Sequence, residues 1–96
     1  MQKNVVDELG RVTLPKTLLE ELRYKEGYKF ECELEAKNII LIMVEEQHYK
    51  QTRVADELNR IVLPIELRKQ AGLETGDILE FKINGTKLVL TKSSKF

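Results

Sequence analysis

Two acidic pairs, each followed by an arginine, are the residues of this chain whose types and spacing suit chemistry. They lie in residues 7–11 (DELGR) and residues 56–60 (DELNR). Paired carboxylates can exchange protons as general acids and bases, whereas arginine can bind a phosphate or a guanine edge through two parallel hydrogen bonds. Because no serine, histidine or cysteine accompanies the carboxylates at matching positions, we interpret them as turn residues and expect no enzymatic activity.

The arginines of these two segments, Arg11 and Arg60, have two alternative roles. Each can pair with the acidic residues of its own turn, or it can contact a ligand, and the two roles are compatible. Other reactive side chains are scarce, since His48 is the single histidine and Cys32 the single cysteine. We therefore expect no metal, no cofactor and no catalytic triad, and we interpret Cys32 as a small core residue on a strand.

The chain repeats itself at a shift of 49 residues. Residues 5–41 align with residues 54–90 without an insertion or deletion, and 11 of the 37 aligned pairs are identical. Many of the other pairs exchange one apolar residue for another, which indicates that both halves bury the same positions. Units of about 40 residues rarely fold alone. We predict a first repeat at residues 1–44, a linker at 45–52 and a second repeat at 53–96, with both repeats in one barrel.

The net charge of the chain is zero, yet its two halves carry opposite charges. Residues 1–48 hold 7 Lys and Arg against 10 Asp and Glu, whereas residues 49–96 hold 9 against 6. A localised positive pole is typical of a restricted nucleic-acid contact. The longest apolar run, residues 39–44, is far shorter than the ~18 residues of a membrane span, and no signal segment precedes it. We expect a cytoplasmic protein without a membrane partner.

Each half is predicted to fold as two strands, a helix and two further strands. The first strands are expected at residues 4–7 and 53–56, and the second strands at residues 11–14 and 60–63. Gly10 aligns with Asn59 in the turns between them. Both residue types tolerate a left-handed backbone, so we expect a positive φ at this position.

The helices are expected at residues 16–24 and 65–71. The second is followed by Gly72, a common residue at helix ends, whereas the first meets Arg23 and is expected to end less sharply. Each half then closes with a hairpin. One consists of residues 29–34 and 38–44 around residues 35–37, and the other of residues 78–83 and 86–90 around Asn84-Gly85, a strong two-residue turn signal.

The segments DELGRVTLP (residues 7–15) and DELNRIVLPIELRK (residues 56–69), with Gly76-Asp77 and a closing hairpin, resemble the AbrB/MazE/SpoVT family. The resemblance covers almost the whole chain, and the second half is the closer match. It implies a mainly β fold with two short helices, in which two tandem ββαββ repeats form a swapped-hairpin β-barrel that binds DNA. A chain that holds both copies resembles the MraZ arrangement, in which one polypeptide supplies the pseudo-dimer.

The resemblance also implies which residues bind DNA. In the second half, the family's DNA-contacting cations fall on Arg53, Arg60, Arg68 and Lys69. In the first half, the same positions hold Asn4, Arg11, Leu19 and Glu20. Only Arg11 is a cation there, and Glu20 would repel phosphate. Without the resemblance, Arg68 and Lys69 are more simply explained as a solvated helix face.

We therefore predict a sequence-specific double-stranded-DNA-binding protein that acts as a bacterial transcriptional regulator. The second half is expected to read DNA, while the first half serves mainly as its structural partner, with Arg11 as an auxiliary contact. Two chains are expected to combine as a homo-oligomer, a dimer of pseudo-dimeric chains, so that two such surfaces face one longer site. The alternative is an antitoxin-like or assembly module that acts through a protein partner. The short segment after the last predicted strand, residues 91–96, favours the regulator, because antitoxins usually carry a longer tail for their toxin.

Overall fold

The computed structural model describes residues 2–45 and 52–93. In chain order its elements are β1 (Gln2–Val5), β2 (Arg11–Thr13), α1 (Lys16–Glu21), β3 (Lys29–Glu35), β4 (Asn38–Val44), β5 (Thr52–Arg53), β6 (Arg60–Val62), α2 (Ile65–Ala71), β7 (Ile78–Asn84) and β8 (Lys87–Lys92). The order of strands and helices in residues 2–45 therefore recurs in residues 52–93. Most of the predicted linker, including His48, lies outside the described residues, and the division into repeats 1–44 and 53–96 stays a prediction.

The strands form one six-stranded antiparallel sheet and one two-stranded ribbon. The sheet has the order β1-β7-β8-β4-β3-β5, and the ribbon consists of β2 and β6. Each half gives its first strand to the other half, since β1 pairs with β7 from Gln2↔Phe81 onward and β5 pairs with β3 at Phe30↔Arg53. The two closing hairpins meet through β4 and β8. This exchange confirms the mainly β, swapped-hairpin fold predicted from the sequence.

Both halves contribute to one hydrophobic core. Alternate side chains along the closing hairpins face inward, as the period of a strand requires. From β3 and β4 these are Phe30, Cys32, Ile39 and Leu41. From β7 and β8 they are Leu79, Phe81, Leu88 and Leu90. Burial of each large side chain contributes roughly 1.5–3 kcal/mol, so either half alone would lose much of its stabilisation.

Cys32 lies within this core, as the sequence predicted. Its side chain is buried on β3. Burial raises the pKa of the thiol to about 11, because the low-dielectric surroundings disfavour the thiolate. The neutral thiol therefore packs as a small apolar group and is a poor nucleophile.

In the described part of the chain, no helix is long and apolar enough to cross a membrane. The two short helices end through the same left-handed turn. After α2, Gly72 has a φ of 71° and the next N–H donates to the Arg68 carbonyl at 2.8 Å. After α1, Arg23 has a φ of 62° and the next N–H donates to the Leu19 carbonyl at 2.9 Å. The expected extension of α1 to residue 24 and its less sharp end are both wrong. The backbone hydrogen bonds impose the turn even on a residue that carries a Cβ.

Both closing hairpins turn on two residues. In the first, Ala36 and Lys37 have φ values of 49° and 69°. In the second, Asn84 is the last residue of β7, and Gly85 has a φ of 67°. The predicted Asn84-Gly85 turn is therefore displaced by one residue to Gly85 and Thr86, because a glycine at the first central position suits a type II′ turn.

The first strand of each half ends earlier than the sequence predicted. β1 ends at Val5 and β5 at Arg53, rather than at residues 7 and 56. Asp7 and Asp56 leave the strands because their carboxylates accept hydrogen bonds from the backbone of the following turns. Such local bonds compete with the strand ladder.

Candidate nucleic-acid interface

The ribbon of β2 and β6 presents two arginines on its outer face. Its central residues, Val12 and Ile61, lie opposite each other and are buried in the core. The residues on either side of them must therefore face outward. Arg11 and Arg60 occupy diagonal positions of this outer face, and such positions are ~7–8 Å apart. The structure thus brings together one cation from each half.

The first turn, residues 7–11, is organised by the carboxylate of Asp7. Its Oδ1 atom accepts hydrogen bonds from the backbone N–H groups of Leu9 at 2.9 Å and Arg11 at 2.7 Å. Its Oδ2 atom accepts one from Arg11 Nε at 2.7 Å. Gly10, with a φ of 78°, allows the chain to reverse here. The backbone N–H of Arg11, together with the Arg11 side chain and the backbone N–H of Leu9, holds the pKa of Asp7 below its ordinary value, although desolvation of the carboxylate opposes this shift.

The second turn, residues 56–60, repeats this arrangement almost atom for atom. Asp56 Oδ1 accepts from the N–H groups of Leu58 at 2.9 Å and Arg60 at 2.8 Å, and Oδ2 accepts from Arg60 Nε at 2.8 Å. Asn59 has a φ of 62°, which confirms the left-handed backbone predicted for this position and for its counterpart in the first turn. The same contacts, led by the Arg60 N–H, lower the pKa of Asp56.

Both aspartates are therefore ionised and bonded at neutral pH, which suits a turn and not proton transfer. Among residues 2–45 and 52–93, no group of His, Cys, Asp and Glu has the arrangement of a metal site. Of the two roles considered for Arg11 and Arg60, the structure shows the pairing with an acidic residue of their own turn, Asp7 and Asp56. In each ion pair only the Nε atom of the arginine donates to the aspartate. Within the described residues, the Nη groups of both arginines make no hydrogen bond. These groups are available to a ligand.

Arg68 lies in α2, but it contacts the first turn. Its Nε atom donates to the Leu63 carbonyl at 2.9 Å, and the side chain is half-buried. A Cβ atom placed on Gly10 would lie 2.6 Å from Arg68 Nη1 and 2.8 Å from Nε. The guanidinium of Arg68, in the second half, therefore rests on the backbone of Gly10, the residue that precedes Arg11 in the first half.

The two remaining predicted cations are placed differently. Lys69 follows Arg68 in α2 and is exposed. Arg53 is half-buried on the edge strand β5, where it lies opposite Phe30 and its Nη1 donates to the carbonyl of Thr52 at 3.0 Å. Neither residue belongs to the outer face of the ribbon.

At three of the four positions that hold predicted DNA-binding cations in the second half, the first half has a residue that is not a cation. Asn4 Nδ2 donates to the carbonyl of Thr13 in β2 at 2.6 Å. Leu19 is 4% exposed and belongs to the core. Glu20, the counterpart of Lys69, is exposed on α1. The first-half helix is therefore used for packing at the position where the second-half helix carries Arg68.

Known proteins are similar to this chain in sequence and in fold. Residues 52–96 match the family model described as "Antidote-toxin recognition MazE, bacterial antitoxin". This match confirms the resemblance of the chain to the AbrB/MazE family over residues 52–96. A solved structure, "The solution structure of PHS018 from pyrococcus horikoshii", matches with a TM-score of 0.55 over 95% of this chain and 87% of that chain. Its sequence identity is 16%, so it supports the fold alone.

Two curated relatives come from Bacillus subtilis (strain 168). The chain is 48% identical over 40 residues to the "Putative transition state regulator Abh" and 45% identical over 40 residues to the "Transition state regulatory protein AbrB". These matches cover 42% of this chain, and 44% and 42% of the two relatives. The chain spans less than half of the length of the curated relatives that it matches.

The AbrB/MazE resemblance indicated the cations, but it did not reveal the contact between Gly10 and Arg68. The sequence contains a signal for this contact, because the two halves differ at both of the positions involved. Gly10 of the first turn aligns with Asn59 of the second turn, and Arg68 of α2 aligns with Leu19 of α1. An arginine is thus present on the helix only where the opposing turn lacks a side chain.

Proposed function

We propose that this protein binds double-stranded DNA in a sequence-specific manner and regulates transcription in the bacterial cytoplasm. The proposal is carried by the outer face of the β2–β6 ribbon, where Arg11 and Arg60 are each held by an aspartate of the same turn. A held arginine loses less side-chain entropy when it binds. A base-specific contact requires this kind of preorganised donor.

The dimensions of the ribbon suit the major groove of B-DNA. That groove is about 12 Å wide and admits a two-stranded β-ribbon. Arginine Nη groups that are not used within the protein can donate to O6 and N7 of a guanine, a contact that contributes ~1–3 kcal/mol of discrimination. The flanking cations Arg53, Arg68 and Lys69 would bind phosphates and set the position of the ribbon.

The relatives support a regulatory role. Both curated relatives are called transition state regulators, and a regulator of this kind needs an operator rather than a catalytic site. The aspartates of the two acidic pairs accept hydrogen bonds within their own turns, which supports binding rather than catalysis as the function.

We further propose that two chains combine on one DNA site. One ribbon offers one arginine from each half, a small number of direct base contacts for a specific complex. Two chains related by a two-fold axis would present two ribbons to a longer, palindromic site. Sedimentation of the protein with and without operator DNA measures this association.

Fluorescence polarisation with labelled genomic fragments, including the protein's own promoter, tests DNA binding at two salt concentrations. If up to ~8 cations from two chains engage the duplex, the slope of log affinity against log salt is at most near −7, and base-reading arginines bring it to about −4 to −6. Arg60→Lys keeps the charge but removes the guanidinium that can make two parallel hydrogen bonds. It should therefore reduce the discrimination between fragments more than it reduces the non-specific affinity. Lys37→Ala, in the exposed β3–β4 turn, is the control that changes neither. A slope near zero contradicts the proposal.

One observation favours a second function. The family model that matches residues 52–96 describes a bacterial antitoxin that recognises a toxin, so a protein partner is the alternative. The first half, with its excess of acidic residues, would meet a basic protein. Weak, salt-independent binding to every DNA fragment, together with a stable stoichiometric complex with one basic protein, would favour this alternative.

A further inference from the structure

The cations around the ribbon are grouped by three-dimensional contact and not by sequence half. The Leu63 N–H donates to the Gly10 carbonyl at 3.0 Å, which fixes the start of α2 against the first turn. Arg68 then lies over Gly10 and bonds to the Leu63 carbonyl. Arg11 and Arg68 are consequently neighbours, although they belong to different halves.

The second turn has the same backbone contact but a different helix residue. The Leu14 N–H donates to the Asn59 carbonyl at 2.8 Å, as Leu63 does to Gly10. The residue of α1 that corresponds to Arg68 is Leu19, which is buried, and Glu20 follows it. At the two helix positions that correspond to Arg68 and Lys69, the second turn therefore has no cation.

Formal charge at five matched positions shows the size of this difference. At the first turn the five charges total +1, from Asp7, Glu8, Arg11, Arg68 and Lys69. At the second turn they total −2, from Asp56, Glu57, Arg60, Leu19 and Glu20. Since phosphate binding follows local charge, the charge at these five positions favours the first turn over the second.

We infer that Arg11, Arg68 and Lys69 form one composite cationic site on the first turn, that Gly10 positions Arg68 in it, and that a single chain therefore binds an asymmetric DNA half-site in one orientation. The inference rests on the proposed function. It assigns to the first turn the stronger contact with DNA and to the second turn, with Arg60, the weaker one. Gly10 is a positioning residue, because it acts only by leaving room for the guanidinium.

A double-mutant cycle tests the role of Gly10. Gly10→Asn gives the first turn the residue of the second turn, which tolerates a positive φ, and its Cβ displaces the Arg68 side chain. This variant and Arg68→Leu should each weaken binding to the preferred fragment about tenfold. The variant with both changes should be no weaker than Arg68→Leu alone, because the two changes remove one interaction. The control Asn59→Gly should leave affinity unchanged.

A gain of function tests the same inference from the other side. Leu19→Arg combined with Asn59→Gly builds a second composite site, and it should strengthen binding about tenfold and steepen the salt slope by about one. Because Leu19 is buried, Glu20→Lys on the exposed face of α1 serves as an independent variant. It should strengthen binding by a smaller factor, and circular dichroism confirms that each variant is folded.

Affinity cleavage tests the orientation. Cys32 is buried, so an iron chelate can be attached selectively to a cysteine introduced by Glu8→Cys or Glu57→Cys at the two exposed turns. The inference requires different cleavage positions for the two variants. Identical positions, or independent additive losses from Gly10→Asn and Arg68→Leu, would overturn it while leaving DNA binding intact. Absence of specific binding by the unmodified protein would instead overturn the proposed function.

Discussion

The first turn and the second turn share their backbone and their aspartate–arginine pair, but they differ in what packs against them. On the first turn, the Val6 N–H donates to the Asp77 carbonyl at 2.9 Å and the Gly76 N–H donates to the Val6 carbonyl at 2.8 Å. Within the described residues, Ala55 makes no equivalent bonds to residues 25–28. That side instead holds a cleft lined by Tyr24, Glu26, Ala55, Asp56, Glu57 and Asn59.

The difference teaches that a short sequence can fix the shape of a turn while distant residues decide its charge and its rigidity. DELGR and DELNR make the same hydrogen bonds, because an aspartate carboxylate and a residue with positive φ are sufficient for this geometry. Arg68 and residues 74–77, by contrast, reach the first turn only through the fold. Two turns of the same shape therefore offer different surfaces to a ligand.

The largest effect is expected from separating the halves. Residues 1–48 and 49–96, expressed separately, should not fold alone, because each half loses its partner's strand and its side of the core. Equimolar mixing should restore β structure, since each fragment supplies what the other lacks. Far-UV circular dichroism with thermal melting measures both states. Cooperative folding of the first half as a monomer would show that its turn does not need the other half.

A smaller effect is expected from acid. Because the folded-state pKa of Asp7 and of Asp56 is depressed, each carboxylate stabilises the fold at pH values above its unfolded pKa of ~3.9. This stability is lost as the pH falls through the depressed pKa. The double change Asp7→Asn and Asp56→Asn should therefore flatten the decline in unfolding free energy between pH 5 and acid values in urea titrations.

The single substitutions at Asp7 and Asp56 compare the contribution of each turn to the acid sensitivity. Asp7→Asn and Asp56→Asn should flatten the acid decline by similar amounts, since their hydrogen bonds are the same and local. A much larger effect of Asp7 would mean that the contacts from residues 74–77 contribute to its pKa. An unchanged pH dependence in the double variant would contradict the role given to both carboxylates.

An effect of about 1 kcal/mol is expected at the two helix ends. Arg23→Gly should stabilise the protein by roughly 0.5–1 kcal/mol, because a left-handed backbone strains a residue with a Cβ. Gly72→Ala should destabilise it by about 1 kcal/mol for the same reason, since open space surrounds that glycine and only its backbone conformation matters. Chemical denaturation of both variants provides the measurement. Equal signs for the two changes would contradict the shared left-handed turn.

The smallest effect is expected in hydrogen exchange. The Val6 amide, bonded to the Asp77 carbonyl, should exchange more slowly than the Ala55 amide at the corresponding position of the second half. Residue-resolved exchange by NMR measures the ratio. Equal protection of the two amides would show that the cleft beside the second turn closes in solution.

Local chemistry explains what the sequence predicted well. Gly10 and Asn59 indicated a positive φ because few other residues tolerate it, and the exchange of one apolar residue for another at aligned positions indicated that both halves bury the same positions. The exchange of strands followed from the family resemblance. Each of these properties is either set within a few residues or shared by a whole family.

Other features depend on the completed fold. Arg23 has no property that favours a left-handed backbone, so its φ of 62° was not predictable. The displaced turn at Gly85 depends on which residues pair in the β7–β8 ladder. Among the candidate site residues, the neighbourhood of Arg11 and Arg68 depends on the swap itself, because it joins elements from both halves.

The exchange of hairpins within one polypeptide has a consequence for how such a protein evolves. When two identical chains supply the two turns, every substitution appears twice, and a change that suits one end must also be tolerated at the other. Here Gly10 and Asn59 occupy corresponding positions in one chain and are different residues. Selection can therefore act on each end of the ribbon independently, and mutations that are deleterious in a symmetric assembly become accessible to this one.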